Sequence, residues 1–251
     1  MKKLVLSLIC VAALVACKKE KVTGPEGPQG PAGSSTTPSG TISGKIEQMN
    51  QYMAIYSAGL NTTTVSLDGT SHTTVTDASG NYTLTNVQPG VYDLSMIKNG
   101  CGLAKRQQIS FPGNGTLYVN STITDKASFI LTGGSVKDTL SQIKVNVNVT
   151  PYPQSRLAVV IFGNTNAVDI NNVQSYDHVH IFYISNNVAT DGSSIQFGDL
   201  SPTKFPSGSI VYAKVYPNNS SNSNYTDYAN NKTVYTGCGT PLPTTFTLTM
   251  P

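Results

Sequence analysis

The stretch Thr73-Thr74-Val75-Thr76-Asp77-Ala78-Ser79-Gly80-Asn81-Tyr82-Thr83-Leu84, continued by Asn86-Val87-Gln88-Pro89-Gly90-Val91-Tyr92-Asp93-Leu94, constrains the fold more than any other part of the chain. Tyr82, Leu84, Tyr92 and Leu94 recur at period two, which on a pleated strand puts them on one face toward a core. The breaks between these runs are turn chemistry. The Asp77 carboxylate can accept hydrogen bonds from the amides that follow it, Gly80 or Asn81 can take the left-handed conformation, and Pro89-Gly90 bends the chain. The pattern predicts two hairpins over one apolar core. The oxygen-rich run from Asp77 to Asn81 lacks the terminal Glu and the length of a calcium loop, so it reads as a structural turn.

The rest of the sequence has the same character. Only 12% of the 251 residues are charged and 38% are hydrophobic, while Thr, Ser, Asn and Gly suit strand faces and turns. Strands are predicted at residues 40–46, 64–67, 108–111 and 117–123. The segment 48–61 is longer than a usual link between strands, and Met53, Ile55 and Tyr56 in it can extend one. A second set follows at residues 127–131, 144–150, 156–162, 179–184, 194–197, 210–216 and 245–249, with the Asn-, Ser- and Tyr-rich residues 218–231 read as an exposed loop. Leu157-Ala158-Val159-Val160-Ile161-Phe162 has no polar alternation, so it predicts a central strand buried on both faces. The expectation is an all-β chain of two antiparallel β-sandwiches, residues 40–124 and 125–251.

In the first of these, the Thr-Asp turn at Thr76-Asp77, then Gly80-Asn81-Tyr82, Pro89-Gly90, Tyr92 and Leu94 resemble the carboxypeptidase regulatory-like domain. That resemblance implies a transthyretin-like β-sandwich and a non-catalytic module appended to peptidases, outer-membrane receptors or lipoproteins. The strand at residues 210–216 has a fainter likeness to immunoglobulin and fibronectin type III strands.

The amino terminus gives an address. Lys2 and Lys3 precede an apolar run that ends Leu14-Val15-Ala16-Cys17, too short to span a bilayer. It resembles the bacterial lipoprotein signal, which implies that residues 1–16 are removed, that Cys17 carries the lipid, and that the protein is anchored to the outer membrane, facing the surface or the periplasm. Lys18, Lys19 and Lys21 then lie beside the headgroups. Residues 24–33 repeat Gly-Pro-x, and residues 17–39 together read as a lipidated start and an extended tether, similar to those of Bacteroidetes lipoproteins.

No Gly-x-Ser-x-Gly elbow, His-Glu-x-x-His or phosphate-cradling glycine loop occurs in the sequence, so the expectation is a protein that is not an enzyme and takes no cofactor. The formal charge of +3 includes Lys2 and Lys3; no basic cluster outside the membrane-proximal lysines points to nucleic acid. His178 and His180 project from one strand face and supply two ligands where a metal site needs more; the alternative is a pair of exposed strand histidines. Cys101 and Cys238 either form a disulfide, permitted in the envelope, or remain as partly buried thiols. Tyr225 and Tyr228, in the tyrosine-rich loop, can stack on sugar rings. The function expected is a lipid-anchored binding, scaffolding or adhesive module with a protein or polysaccharide ligand; the alternative is a glycan-binding accessory lipoprotein of a polysaccharide-uptake system.

Overall fold

Two layers of strands built from residues 40–124 enclose one core, and a second pair of layers, built from residues 131–249, encloses another. The computed structural model describes residues 38–139, 141–152 and 154–251; the signal, Cys17 and the Gly-Pro tether lie outside the described residues. The chain is all-β, as its alternation predicts.

The first sandwich has eight strands: β1 (Gly40–Met49), β2 (Thr64–Leu67), β3 (Thr73–Val75), β4 (Asn81–Val87), β5 (Gly90–Ile97), β6 (Ala104–Phe111), β7 (Thr116–Tyr118) and β8 (Ser121–Thr124). One layer runs β4-β1-β7, with β8 also on β1; the other runs β3-β2-β5-β6. The residues predicted to share a face do so: Tyr82, Leu84 and Leu94 are buried with Ile42, Ile46, Val65, Met96, Phe111 and Ile123, and Tyr92 packs against them.

Three expectations for this part need correction. The turns at Asp77–Asn81 and Pro89-Gly90 do not close hairpins. β3 pairs with β2, β4 with β1, and β5 with β2 and β6, so each turn carries the chain from one layer to the other. Turn residues set how sharply a chain bends, and burial then decides which layer the next strand joins. The stretch predicted as one strand at 117–123 is two, interrupted at Val119-Asn120, and both pair with β1 in parallel rather than antiparallel. Residues 53–56 extend no strand: Met53 has φ 69°, and a single bridge between Met49 and Ile55 closes a short excursion from the end of β1.

The second set comprises β9 (Leu131–Asp138), β10 (Gln142–Val149), β11 (Arg156–Gly163), β12 (His178–Ile184), β13 (Thr190–Gln196), β14 (Ile210–Asn218), β15 (Asn224–Asp227), β16 (Lys232–Tyr235) and β17 (Phe246–Thr249). One layer runs β13-β10-β9 and the other β12-β11-β14-β17, with β15 and β16 forming a separate hairpin. All eight residues of β11 are buried. Ala158, Val160 and Phe162 face the other layer, whereas Val159 and Ile161 are covered by Val168, Ile170, Tyr176 and Tyr216. Residues 127–131 contribute only Leu131 to a strand, and residues 218–231, read as loop, contain β15.

Thr37–Pro251 form one compact unit. The loop after β1 reaches the second sandwich: Ser128 N donates to Gln51 Oε1 at 2.9 Å and Ser220 N to Gln51 O at 2.8 Å. Asn219, 1% exposed, donates from Nδ2 to Asp125 O at 2.9 Å. Thr236 Oγ1 donates to Leu103 O at 2.8 Å, and Gln107 Nε2 to Thr226 O at 2.8 Å. Side-chain donors on main-chain acceptors of this kind fix orientation as well as contact.

Candidate functional site

The residues singled out from the sequence do not come together. His178 and His180 share a face of β12, as the strand period requires, but they are half-buried rather than exposed. The His178 ring packs against Phe162, and His180 Nε2 meets Ser193 Oγ across the two layers at 2.9 Å. Burial holds both imidazoles below their ordinary pKa, and for His178 the charge of His180 adds to the effect. Among the described residues, no three His, Cys, Asp or Glu side chains gather to hold a metal ion. The His180–Ser193 pair has the outline of a base and a nucleophile, yet no residue among those described hydrogen-bonds the other ring nitrogen to orient it.

Cys101 and Cys238 are free thiols, so the disulfide is not formed. Cys101 lies in the core of the first sandwich and donates to Asp125 Oδ1 at 3.4 Å. Cys238 lies under Tyr216 in the second, near Asn218 Oδ1 at 3.7 Å. The two thiols face different cores with separate partners. Burial pushes each up to about 12, for Cys101 with help from the Asp125 hydrogen bond, which makes both poor nucleophiles.

Tyr225 and Tyr228 both lie on the β15–β16 hairpin. Tyr225 on β15 has the Lys105 ammonium 5.1 Å above its ring centroid, and Tyr228 stands at the turn between β15 and β16, exposed. The Asp77 turn is structural: Ser79 N and Asn81 N each donate to Asp77 Oδ1 at 2.8 Å, and Gly80 takes φ 84°.

Two clefts have part of their polar lining engaged with neighbouring groups. One of about 520 Å³ includes Lys126, Asp169, Lys214 and Tyr216. There Asp169 Oδ1 accepts from Asn171 N at 2.9 Å and from the Tyr216 hydroxyl at 3.3 Å. Another, of about 250 Å³ between β6, β8 and residues 223–224, includes Lys105, which is paired with Asp68 at 2.5 Å.

A third cleft, of about 450 Å³, is different. It lies where the loop after β1 meets the start of β11 and the end of β12, and includes Tyr52, Met53, Arg156, Tyr183, Asn186 and Ser220. Local sequence builds it. Asn50 Oδ1 accepts from Tyr52 N at 2.9 Å and Ala54 N at 3.0 Å, an Asx turn that lets Met53 adopt its positive φ. That turn presents Tyr52 to Tyr152, with ring centroids 5.1 Å apart and planes 12° from parallel. Tyr183, on the outer face of β12, is 75% exposed. Aromatic faces beside amide and hydroxyl groups suit a ligand that is both apolar-faced and rich in hydroxyls. Sequence reasoning missed this group because Tyr52, Tyr152 and Tyr183 are far apart in the chain; its one local sign was the unusual length of residues 48–61.

Residues 54–124 match the family model described as the carboxypeptidase regulatory-like domain. The matched residues fall within the first sandwich and the loop that follows β1. Tyr52 and Met53 stand just before the matched residues of the carboxypeptidase regulatory-like domain, on the loop that leads into it. No curated protein matches the chain. Similar solved structures include an N-terminal interface mutant of a type II cohesin–X-dockerin complex from Acetivibrio cellulolyticus, 19% identical with a TM-score of 0.31. That match covers 36% of this chain and 61% of that one. A DUF3823 family protein from Bacteroides ovatus is 14% identical over 85% of this chain and 100% of that one, with a TM-score of 0.31. A protein described as a candidate carbohydrate binding protein from Bacteroides uniformis is 13% identical with the same coverage and a TM-score of 0.29.

Proposed function

We propose that this protein is a lipid-anchored component of the bacterial envelope, held through Cys17, whose two sandwiches bind a glycan without transforming it. The observation that carries the reading is the cleft where the loop after β1 meets β11 and β12. It combines Tyr52, whose ring stacks on that of Tyr152, with the exposed Tyr183 and the polar Asn186 and Ser220. Tyrosine rings can lie on the apolar faces of pyranose rings, and amide and hydroxyl groups can take the sugar hydroxyls. Binding rather than turnover is supported by the thiols that burial makes inert and by the His180–Ser193 contact, which has no orienting partner among the described residues. Exposed Met53 and Ile55 on the same loop favour a protein ligand as the second reading. Isothermal calorimetry of the mature chain in detergent against a panel of polysaccharides separates the two. Glycan binding that Tyr52→Ala with Tyr183→Ala removes supports the first reading, and no binding to any member of the panel overturns it.

A further inference from the structure

Arg156 opens β11 and lines the same cleft, yet it is 2% exposed. Among the described residues only Nη1 has a hydrogen-bond partner, donating to Thr150 O at 3.0 Å. Nε and Nη2 are buried with no partner among the described residues. The ion pairs found among those residues are Lys105–Asp68, Lys204–Asp177 and Lys232–Asp177, and none involves Arg156. Burial lowers its pKa, but a guanidinium remains charged at neutral pH.

A buried positive charge with idle donors is unfavourable unless something answers it. The rings of Phe129 and Tyr152 answer part of it, with centroids 5.0 and 5.8 Å from the guanidinium carbon. An aromatic face interacts with the charge through the flat side of the guanidinium and leaves the in-plane N–H groups without acceptors. The two idle nitrogens, Nε and Nη2, form one edge of the guanidinium fork. That edge matches the two oxygens of a carboxylate, which it holds by two parallel hydrogen bonds.

We propose that the glycan taken by this cleft is acidic, with a uronic-acid carboxylate seated on Arg156 Nε and Nη2. This rests on the glycan reading above and adds the charge of the ligand to it. Nε and Nη2 are buried, so the carboxylate reaches them only when the side chains covering that edge shift, while Tyr152 stays stacked on Tyr52 with its ring centroid 5.8 Å from the guanidinium carbon. The neutral hydroxyl and amide groups of Asn186 and Ser220 remain for the rest of the sugar.

The test uses the mature chain in detergent with three polymers: polygalacturonate, the same polymer with its carboxyl groups reduced, and dextran sulfate. The expected result is binding of polygalacturonate at least about tenfold tighter than of the reduced polymer, and that preference lost in Arg156→Gln and in Arg156→Lys, which keeps the charge but not the fork. Because replacing a buried arginine can unfold the chain, a second measurement uses the unaltered protein. With arginine labelled by nitrogen-15, galacturonate should shift the Arg156 Nε–H resonance and galactose should not. Equal affinity for the native and reduced polymers overturns the acidic assignment and leaves the glycan reading standing. Equal or tighter binding of dextran sulfate also overturns it, since the edge would then be reading charge alone. Absence of binding to these and to neutral glycans removes both readings.

Discussion

Replacing Asn219 by alanine should destabilise the protein and loosen the cleft together. Asn219 sits immediately after β14 with almost no exposure, where Nδ2 donates to Asp125 O at 2.9 Å and to Ser223 Oγ at 3.0 Å, while Oδ1 accepts from Ser223 N and Ser221 Oγ at 3.1 Å each. Alanine removes all four bonds and strands the Ser223 amide and the Asp125 carbonyl. At about 1 kcal/mol per lost bond, with some recovery by water entering the space, the expected cost is about 3 kcal/mol. For a chain of this size that lowers Tm by roughly 6–12 °C. Asn219 also holds Ser220 in place, and Ser220 N donates to Gln51 O at 2.8 Å on the loop that carries Tyr52. Glycan affinity should therefore fall in the same variant although Asn219 does not line the cleft. The assay is thermal unfolding by circular dichroism followed by calorimetry with the glycan. A drop in Tm below about 2 °C, or a large drop in Tm with unchanged affinity, refutes the reasoning.

Further consequences follow from other parts of the fold. Gly80→Ala should cost at least about 2 kcal/mol, because φ is 84° and an added Cβ would lie 2.4 Å from Ile46 O; chemical denaturation reads it. His178 and His180 are held neutral by burial, below their usual 6.5, so the unfolded chain takes up protons first as pH falls. Their contribution to stability is thus complete above about pH 6.5 and is lost as pH drops toward the lowered folded values, and the double variant His178→Gln with His180→Gln should flatten that part of the Tm–pH curve. Cys101 and Cys238 should resist iodoacetamide at pH 8 in the native protein and react after denaturation; a failure to react when denatured without reductant would mean a disulfide.

Local chemistry was legible wherever the local sequence decides the structure. The run Leu157–Phe162 announced a strand buried on both faces, and Asp77 with Gly80 announced the turn that its carboxylate now holds. Pairing was less legible, since nothing within residues 73–94 says that β3 and β4 belong to opposite layers; that depends on β1 and β2, which offer each its partner. Residues 218–231 look like loop by composition, but Asn224–Asp227 gain a strand by pairing with Lys232–Tyr235. Tyr225 and Tyr228 drew attention because they are close in sequence, whereas Tyr52, Tyr152 and Tyr183 meet only in the folded chain. Arg156 gave no sign at all, because a single arginine at the head of an apolar run looks like an ordinary strand start until its burial and its idle nitrogens are seen.

The most direct test of the account is hydroxyl-radical footprinting of the mature protein with and without a bound acidic polysaccharide. Protection confined to Tyr52, Met53, Tyr152 and Tyr183 is the result predicted by a ligand seated at the junction of the two sandwiches. Protection of Tyr225 and Tyr228 with Tyr183 unchanged would place the ligand on the β15–β16 hairpin and contradict it.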